Sequence, residues 1–376
     1  MTLRLYDTAR GAVVDFDAPA VVRMYVCGIT PYDATHLGHA AAYITYDVLQ
    51  RRLRDMGRET RCVRNITDVD DDILAAAERR GVHYLDLAFD QTARFDDDMA
   101  ALNTLPPASE PRATSAIPDI RGFVHAALER GYAYRAGGNV YFDTQAFDGF
   151  GSLSRFGRDH MIELGRQWRD DPDDPAKRDP LDFVLWQRAR PGEPSWESRW
   201  GPGRPGWHVE CSTLALRELG ETIDLHGGGG GLLYPHHECE RAQSEAVTGK
   251  PFVRHWLHQA LVHYQGSKMS KSLGNLVFVH DLRKRHEPMA IRLALMSQHY
   301  RTPWPWHDAL LREAEQRLAL WRSVSTHKDD NDLLEVVRAC LDDDLDVPGA
   351  LAAVDAAAHA GHPVHAAATL LGVSLH

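Results

Sequence analysis

Tyr25-Val26-Cys27-Gly28-Ile29-Thr30-Pro31-Tyr32-Asp33-Ala34-Thr35-His36-Leu37-Gly38-His39 is the stretch on which the reading of this chain turns. The apolar run from Val21 to Val26 has the composition of a buried parallel strand, and the pattern from about Leu37 to Met56 is helical. The stretch is therefore a strand-loop-helix turn. In α/β folds, ligands sit beside such turns at the carboxyl ends of strands. His36 and His39 lie one helical turn apart with Gly38 between them. Their imidazoles stand by a helix N-terminus, whose free N–H groups favour anions, and this suits a nucleotide phosphate. Taken alone, such a pair is more often two solvated or core-satisfied rings.

A second signal, far downstream, changes that balance. Lys268-Met269-Ser270-Lys271-Ser272, followed by Leu273-Gly274-Asn275, places two ammonium groups in a short polar loop. With H-x-G-H first and K-M-S-K-S second, the chain resembles the class I aminoacyl-tRNA synthetases. The resemblance implies an α/β chain: a class I synthetase Rossmann-type nucleotide-binding fold with an inserted connective domain and a C-terminal helical bundle.

Length and composition agree with a soluble enzyme. The 376 residues predict more than one domain, and an apolar fraction of 44% is ample for real cores. There is no charged-then-apolar leader, no apolar run of membrane-spanning length, and only five cysteines. A reducing cytoplasm without disulfides, and no membrane partner, is the expectation. The net charge of -11 argues mildly against a large nucleic-acid footprint, which needs clustered Lys and Arg.

Working outward, residues 60–67 read as the next parallel strand, ending in Asp68-Val69-Asp70-Asp71-Asp72. That acidic run reads as the cap of a following helix, whereas Thr67 at the strand's end turns a hydroxyl toward the cleft. From about Leu85 the pattern changes to amphipathic helices, 90–102 and 116–130 being clearest, then a hairpin at 133–143 turning on Gly137-Gly138. An Asp- and Pro-rich loop follows at 170–182. Gly206-Trp207-His208-Val209-Glu210-Cys211-Ser212 opens the second half, with a helix through Leu219, a strand at 223–226, and five glycines from Gly227 to Gly231. Glycines after a strand allow backbone, Gly229 included, to approach a ligand closely. Helices at 286–299 and 308–324, and two within 332–359, make the C-terminal bundle. Residues 1–84 and 200–280 are thus expected to form the two halves of the nucleotide fold, 85–199 the insertion and 281–376 a stem-contact-like region with the bundle. No internal repeat is evident.

Cys27, Cys211, His236 and Glu240 each fall at a strand end or helix start. Thiolates, imidazole and carboxylate are zinc ligands, and the i, i+4 spacing of His236 and Glu240 puts two on one helix face. The plainer reading of either thiol is a buried free cysteine. Within class I, however, Tyr25-Val26-Cys27-Gly28, Gly206-Trp207-His208-Val209-Glu210-Cys211-Ser212 and Pro235-His236-His237-Glu238-Cys239-Glu240 resemble the marks of cysteinyl-tRNA synthetase and of its relative, the mycothiol-pathway ligase joining cysteine to glucosaminyl-inositol. The resemblance implies Zn2+ on Cys27, Cys211, His236 and Glu240, holding the thiolate of substrate cysteine. A hydroxyl ligates zinc poorly, so serine is rejected without editing. It further implies Gly28, Thr30, Thr67 and Trp207 around the amino acid. His36 and His39 with Lys268 and Lys271 are the implied catalytic groups on the phosphates of ATP-Mg2+, and Gly38, Gly229, Met269 and Ser270 complete the implied nucleotide site.

The acceptor is read from the chain's later features. It ends soon after Leu345-Asp346-Val347-Pro348, and the expectation is that an anticodon-binding domain is lacking. The stretch from Cys27 to Ala41 is similar to the mycothiol ligase, whereas Glu240 and Leu273 look like the synthetase. The implied reaction is therefore cysteine activation to cysteinyl-adenylate and transfer to the amine of glucosaminyl-inositol, with small-molecule partners and no tRNA. The alternatives are a paralogue acting on another amine in specialised metabolism, a truncated cysteinyl-tRNA synthetase and a non-catalytic homologue. One departure favours the paralogue. Both relatives carry an Asp that contacts the ATP ribose where Gly231 stands here. Asp70, Asp71 and Asp72 stay open to two readings, helix cap or part of a path for a cationic amino sugar.

Overall fold

The computed structural model describes residues 2–33, 35–168, 170–269, 274–324 and 331–376, with Lys268 placed by its backbone. Four parallel strands form the central sheet in the order Trp256–Gln259, Leu225–Gly229, Val21–Ile29, Glu59–Ile66. Val22, Met24, Tyr25 and Val26 are all buried, as consecutive residues must be in a strand covered on both faces. From Val21–Ile29 the chain crosses through the Leu37–Asp55 helix to Glu59–Ile66, then returns to add Leu225–Gly229 on the opposite side. Neighbouring strands whose connections run in opposite directions leave a crevice at their carboxyl ends. Cys27 and the H-x-G-H turn lie on that crevice.

The sheet is covered by two cores. On one face, Ala40, Ile44 and Leu49 of the Leu37–Asp55 helix pack with Leu293 of Pro288–Met296 and with Leu311 and Trp321 of Asp308–Ser323. Arg292 is fully buried there, paired with Asp47 and donating to the Leu102 carbonyl at 2.9 Å and the Leu371 carbonyl at 3.0 Å. On the other face, Tyr25 and Val63 pack with Ile120, Phe183, Trp186 and Leu214. These come from the Ile117–Glu129 and Trp207–Leu219 helices and an antiparallel sheet ordered Ala133–Ala136, Asn139–Phe142, Phe183–Arg188, Gly203–Pro205. The hairpin expected at 133–143 is part of that sheet. No helix of the described residues is long and apolar enough to cross a membrane.

Three local expectations meet different outcomes. The strand expected at 223–226 instead spans Leu225–Gly229, so three of the five glycines lie inside it. Packing requires two of the three: a Cβ at Gly227 would stand 2.3 Å from Tyr46 Oη, and one at Gly228 2.8 Å from Leu232 Cδ1. The acidic run does cap a helix, Asp71–Arg80, with Asp70 accepting from the Ile73 N–H at 2.9 Å. His236 and Glu240 keep their i, i+4 relation: the one non-helical residue of the Leu233–His237 turn is Tyr234, and the helical backbone at His237 runs straight into the helix Glu238–Thr248.

Candidate active site

A cavity of about 680 Å³ opens at the crevice. Cys27, Gly28, Thr30, His36, Gly38 and His39 line it from the first strand and its turn. Thr67, Trp207, Cys211, Gly229, His236 and Met269 line it from four other segments. Glu240 lies beneath the floor, fully buried. Ser270, Lys271 and Leu273 fall outside the described residues, and Lys268 is described by its backbone alone, in the short strand Ser267–Lys268.

At one end, His36 caps the Leu37–Asp55 helix, its Nδ1 accepting from the Gly38 N–H at 3.1 Å. The His36 and His39 rings stack 3.8 Å apart. Gly38 is needed for that pairing, because a Cβ there would meet the His36 ring at 2.9 Å. Two imidazoles and a helix N-terminus thus converge, an arrangement competent to hold phosphate oxygens. Met269 is buried at the cavity edge, and Gly229 has nothing within 4 Å of where a Cβ would be, so its backbone is open to a ligand.

At the other end the strand register does the assembling. Tyr25 pairs with both Val63 and His226, which fixes Cys27 over the gap between the central strands. The Tyr43 hydroxyl donates to the Cys27 carbonyl at 3.0 Å. Gly28 donates its N–H to Asn65 Oδ1 at 2.8 Å, and Asn65 Nδ2 donates to Thr67 Oγ1 at 3.0 Å. A side chain at Gly28 is excluded, since its Cβ would lie 1.5 Å from the Asn65 carbonyl oxygen. Thr30 is committed elsewhere, donating to Asp70 Oδ2 at 3.1 Å. Trp207 and Cys211 occupy successive turns of the Trp207–Leu219 helix, and the Trp207 ring stacks on His236 at 4.3 Å.

Ligand atoms of Cys27, Cys211, His236 and Glu240 all lie within 4.8 Å of one another, every residue buried. Glu240 Oε1 stands 3.1 Å from His236 Nε2 and 3.4 Å from Cys27 Sγ. Two sulfurs, a nitrogen and a carboxylate oxygen at this spacing fit a zinc ion, whose coordination can expand to five to take a substrate donor. The electrostatics suit a cluster of metal ligands. Burial alone would push the Cys211 thiol up, but the Cys27 hydrogen bond and His236 bring it down to about 6. Burial opposes a charged His236, yet Glu240 and Cys211 raise it to about 10. Burial and the neighbouring anions push the Cys27 thiol well up. Burial likewise works against the Glu240 carboxylate, but His226 and His236 hold it well below the usual range.

Sequence reasoning gave no role to three histidines that surround this cluster. His208 Nδ1 lies 2.9 Å from His236 Nδ1, turning the other ring nitrogen toward Glu240. His226 Nε2 lies 3.2 Å from Glu240 Oε2. His237 Nδ1 is held at 2.7 Å by His258, whose own Nδ1 meets Thr8 Oγ1 at 2.8 Å. Among the described residues a second overlapping set, Cys27, His226, His237 and Glu240, also has ligand atoms within 4.8 Å of one another. Two of them stood near a proposed ligand in sequence, His237 beside His236 and His208 three residues before Cys211, whereas His226 did not. Metal-ligating groups need such outer partners to fix their orientation.

The family model for the catalytic domain of class I (C) tRNA synthetases matches residues 14–316. The L-cysteine:1D-myo-inositol 2-amino-2-deoxy-alpha-D-glucopyranoside ligase of Thermobispora bispora is 48% identical over 360 residues, covering 95% of this chain and 89% of that relative. The ligase of the same name from Thermobifida fusca is 49% identical over 358 residues, covering 94% and 87%. Among solved structures, Mycobacterium tuberculosis methionyl-tRNA synthetase in complex with methionyl-adenylate matches with a TM-score of 0.68 at 17% identity, over 90% of this chain and 82% of that one. At that identity it speaks for the fold alone, and the fold is the class I nucleotide-binding architecture expected from the paired motifs. The chain belongs to the class I (C) tRNA synthetase catalytic-domain family, among cysteine-ligase relatives about half identical to it along nearly their whole length.

Proposed function

We propose that this chain activates L-cysteine with ATP to cysteinyl-adenylate and transfers the cysteinyl group to the amine of glucosaminyl-inositol, as the names of its relatives describe for them. The observation that carries the reading is the four-donor cluster of Cys27, Cys211, His236 and Glu240, one cavity away from the stacked His36 and His39. Zinc held by that cluster supplies a soft Lewis acid for the substrate thiolate and thereby separates cysteine from serine. Trp207, stacked on His236, covers the side chain. Gly28 and Thr67 leave room and a hydroxyl for the amino acid's backbone end. In activation, a carboxylate oxygen of cysteine attacks the α-phosphorus, and the bond to the β-phosphate breaks with loss of pyrophosphate. His36 and His39 at the helix N-terminus, with Lys268 and Lys271, bear the charge that builds on the phosphate oxygens, and Mg2+ accompanies the ATP. In transfer, the amine nitrogen bonds to the carbonyl carbon, AMP departs and the amine loses its proton. In this reading residues 1–84 and 200–280 carry the chemistry, 85–199 form the connective insertion and 281–376 the helical region.

A second reading keeps the activation chemistry but takes another amine, and Gly231 is what favours it, because a ribose-contacting carboxylate is missing there. The test is cysteine-dependent ATP–pyrophosphate exchange on metal-assayed protein, with serine as control, followed by amine acceptors and tRNA. Exchange with cysteine, lost on chelation and restored by zinc, with amide formed on glucosaminyl-inositol, is the expected result. Zinc-loaded protein without exchange would overturn the activation step. Exchange without transfer to that amine would favour the second reading.

A further inference from the structure

We propose that Trp168 is the wall on which the acceptor's sugar ring packs, with Asp170 beside it taking sugar hydroxyls; the inference rests on the cysteine-ligase reading above. Trp168 follows directly on the Arg158–Gln167 helix, lines the catalytic cavity and is 36% exposed. Its ring stacks on Trp207 at 5.6 Å with an interplanar angle of 26°. Trp207 in turn stacks on His236 at 4.3 Å and 28°. Three rings in series therefore run from a metal ligand to the cavity wall, and Trp168 stands no more than about 10 Å from the His236 ring.

That distance suits the acceptor. Along a bound cysteine, sulfur and carboxyl carbon are separated by three bonds of roughly 1.5 to 1.8 Å each. The new amide bond and half the width of a pyranose ring bring the sugar to a comparable reach. Position agrees with length. His36 and His39 take the phosphate end from the Leu37–Asp55 helix, whereas Trp168 comes from a different segment, whose Met161 and Leu181 pack against Tyr234. A Cβ at Gly231 would lie 3.6 Å from Trp168 Cζ2 and 3.8 Å from Leu261 Cδ2, so the indole edge borders the position where the relatives' ribose-contacting carboxylate would stand, and Trp168 walls the cavity where adenylate and acceptor meet. A pyranose has a C–H face that packs flat on an aromatic ring and a hydroxyl rim that needs fixed acceptors. Asp170 also lines the cavity, and one of its carboxylate oxygens is anchored at 3.0 Å by Lys177, whose side chain is 3% exposed. An anchored carboxylate offers its remaining lone pairs in a set direction.

The experiment is calorimetric titration on zinc-loaded protein, first with a non-hydrolysable sulfamoyl analogue of cysteinyl-adenylate, then with glucosaminyl-inositol on the analogue complex. Wild type, W168A, W168F and D170N are compared. W168A is expected to weaken acceptor binding roughly tenfold and W168F less than threefold, since a smaller ring keeps part of the packing. D170N is expected to weaken it severalfold with analogue affinity within twofold of wild type, whereas in W168A and W168F, at a ring that stacks on Trp207 and borders Gly231, the acceptor is expected to lose more affinity than the analogue. Acceptor affinity unchanged in W168A overturns the proposal alone. Analogue affinity lost in W168A with acceptor affinity kept overturns it too, and assigns the ring to the nucleotide. An analogue that fails to bind wild type removes the activation reading and, with it, this inference. Should W168A not fold, W168F and W168L give the same comparison.

Discussion

Loading the metal-free chain with zinc at pH 7 should release about two protons, and the number follows from the cluster. His236, raised to about 10 by Glu240 and Cys211 against the cost of burial, carries a proton at pH 7 that zinc must displace. Cys27, pushed well up by burial, carries the second. Cys211, brought down to about 6 mainly by Cys27 and His236, is already mostly thiolate, and Glu240 is a carboxylate. Zinc binds thiolates and neutral imidazole, so its apparent affinity rises with pH by one decade per proton released. The slope of log affinity against pH should therefore be near two around neutrality, about 2.7 kcal/mol per pH unit. It should steepen toward three below about pH 6, where Cys211 also takes a proton, and fall toward one above about pH 10, where His236 has lost its own. Zinc titrations in buffers of different ionisation enthalpy count the protons directly. A count near zero at pH 7 would refute the reasoning, because it would mean that the ligands stand deprotonated before the metal arrives.

Gly231→Asp should fit, since its Cβ meets only ordinary van der Waals neighbours. With a ribose hydrogen bond to a charged group worth roughly 1.5 to 3 kcal/mol, the KM for ATP in pyrophosphate exchange should fall at least tenfold; an unchanged KM would show that the ribose lies elsewhere. Gly28→Ala forces a Cβ onto the Asn65 carbonyl, so the central strands must part at the site floor. A stability loss of about 3 kcal/mol with weakened zinc binding is expected, and wild-type denaturation and metal stoichiometry would count against the packing described. Arg292→Leu strands the buried Asp47 carboxylate and should cost roughly 3 to 5 kcal/mol, read as a lower denaturant midpoint at constant m-value. A loss below about 1 kcal/mol would mean that Asp47 is neutralised by Arg51, which stands 2.8 Å away.

What could be read without coordinates was whatever depends on neighbours in sequence. The H-x-G-H turn is a strand end and helix start in any α/β chain, and the helix caps at His36 and Asp70 follow from local donors and acceptors. The same holds for the hairpin at Gly137-Gly138, where two positive φ values suit glycine alone. The four donor types were legible in the sequence, and the resemblance joined them into one set, because nothing in their spacing brings Cys27 to Cys211. That meeting is decided by the parallel sheet. Its crossovers set Leu225–Gly229 beside Val21–Ile29, and their register carries His226 and Cys27 to one floor. The glycine run misled for the same reason: Gly227 is glycine because Tyr46, 181 residues earlier in the chain, fills the space of its side chain. His208, His226 and His237 had no periodicity that marks them, and Trp168 precedes the 170–182 loop at a place where the sequence carries no motif. Sequence alone thus determined the elements, the family and the types of chemistry available. Tertiary structure decided which side chains share a cavity, because side-chain convergence depends on strand order and packing between segments far apart in the chain.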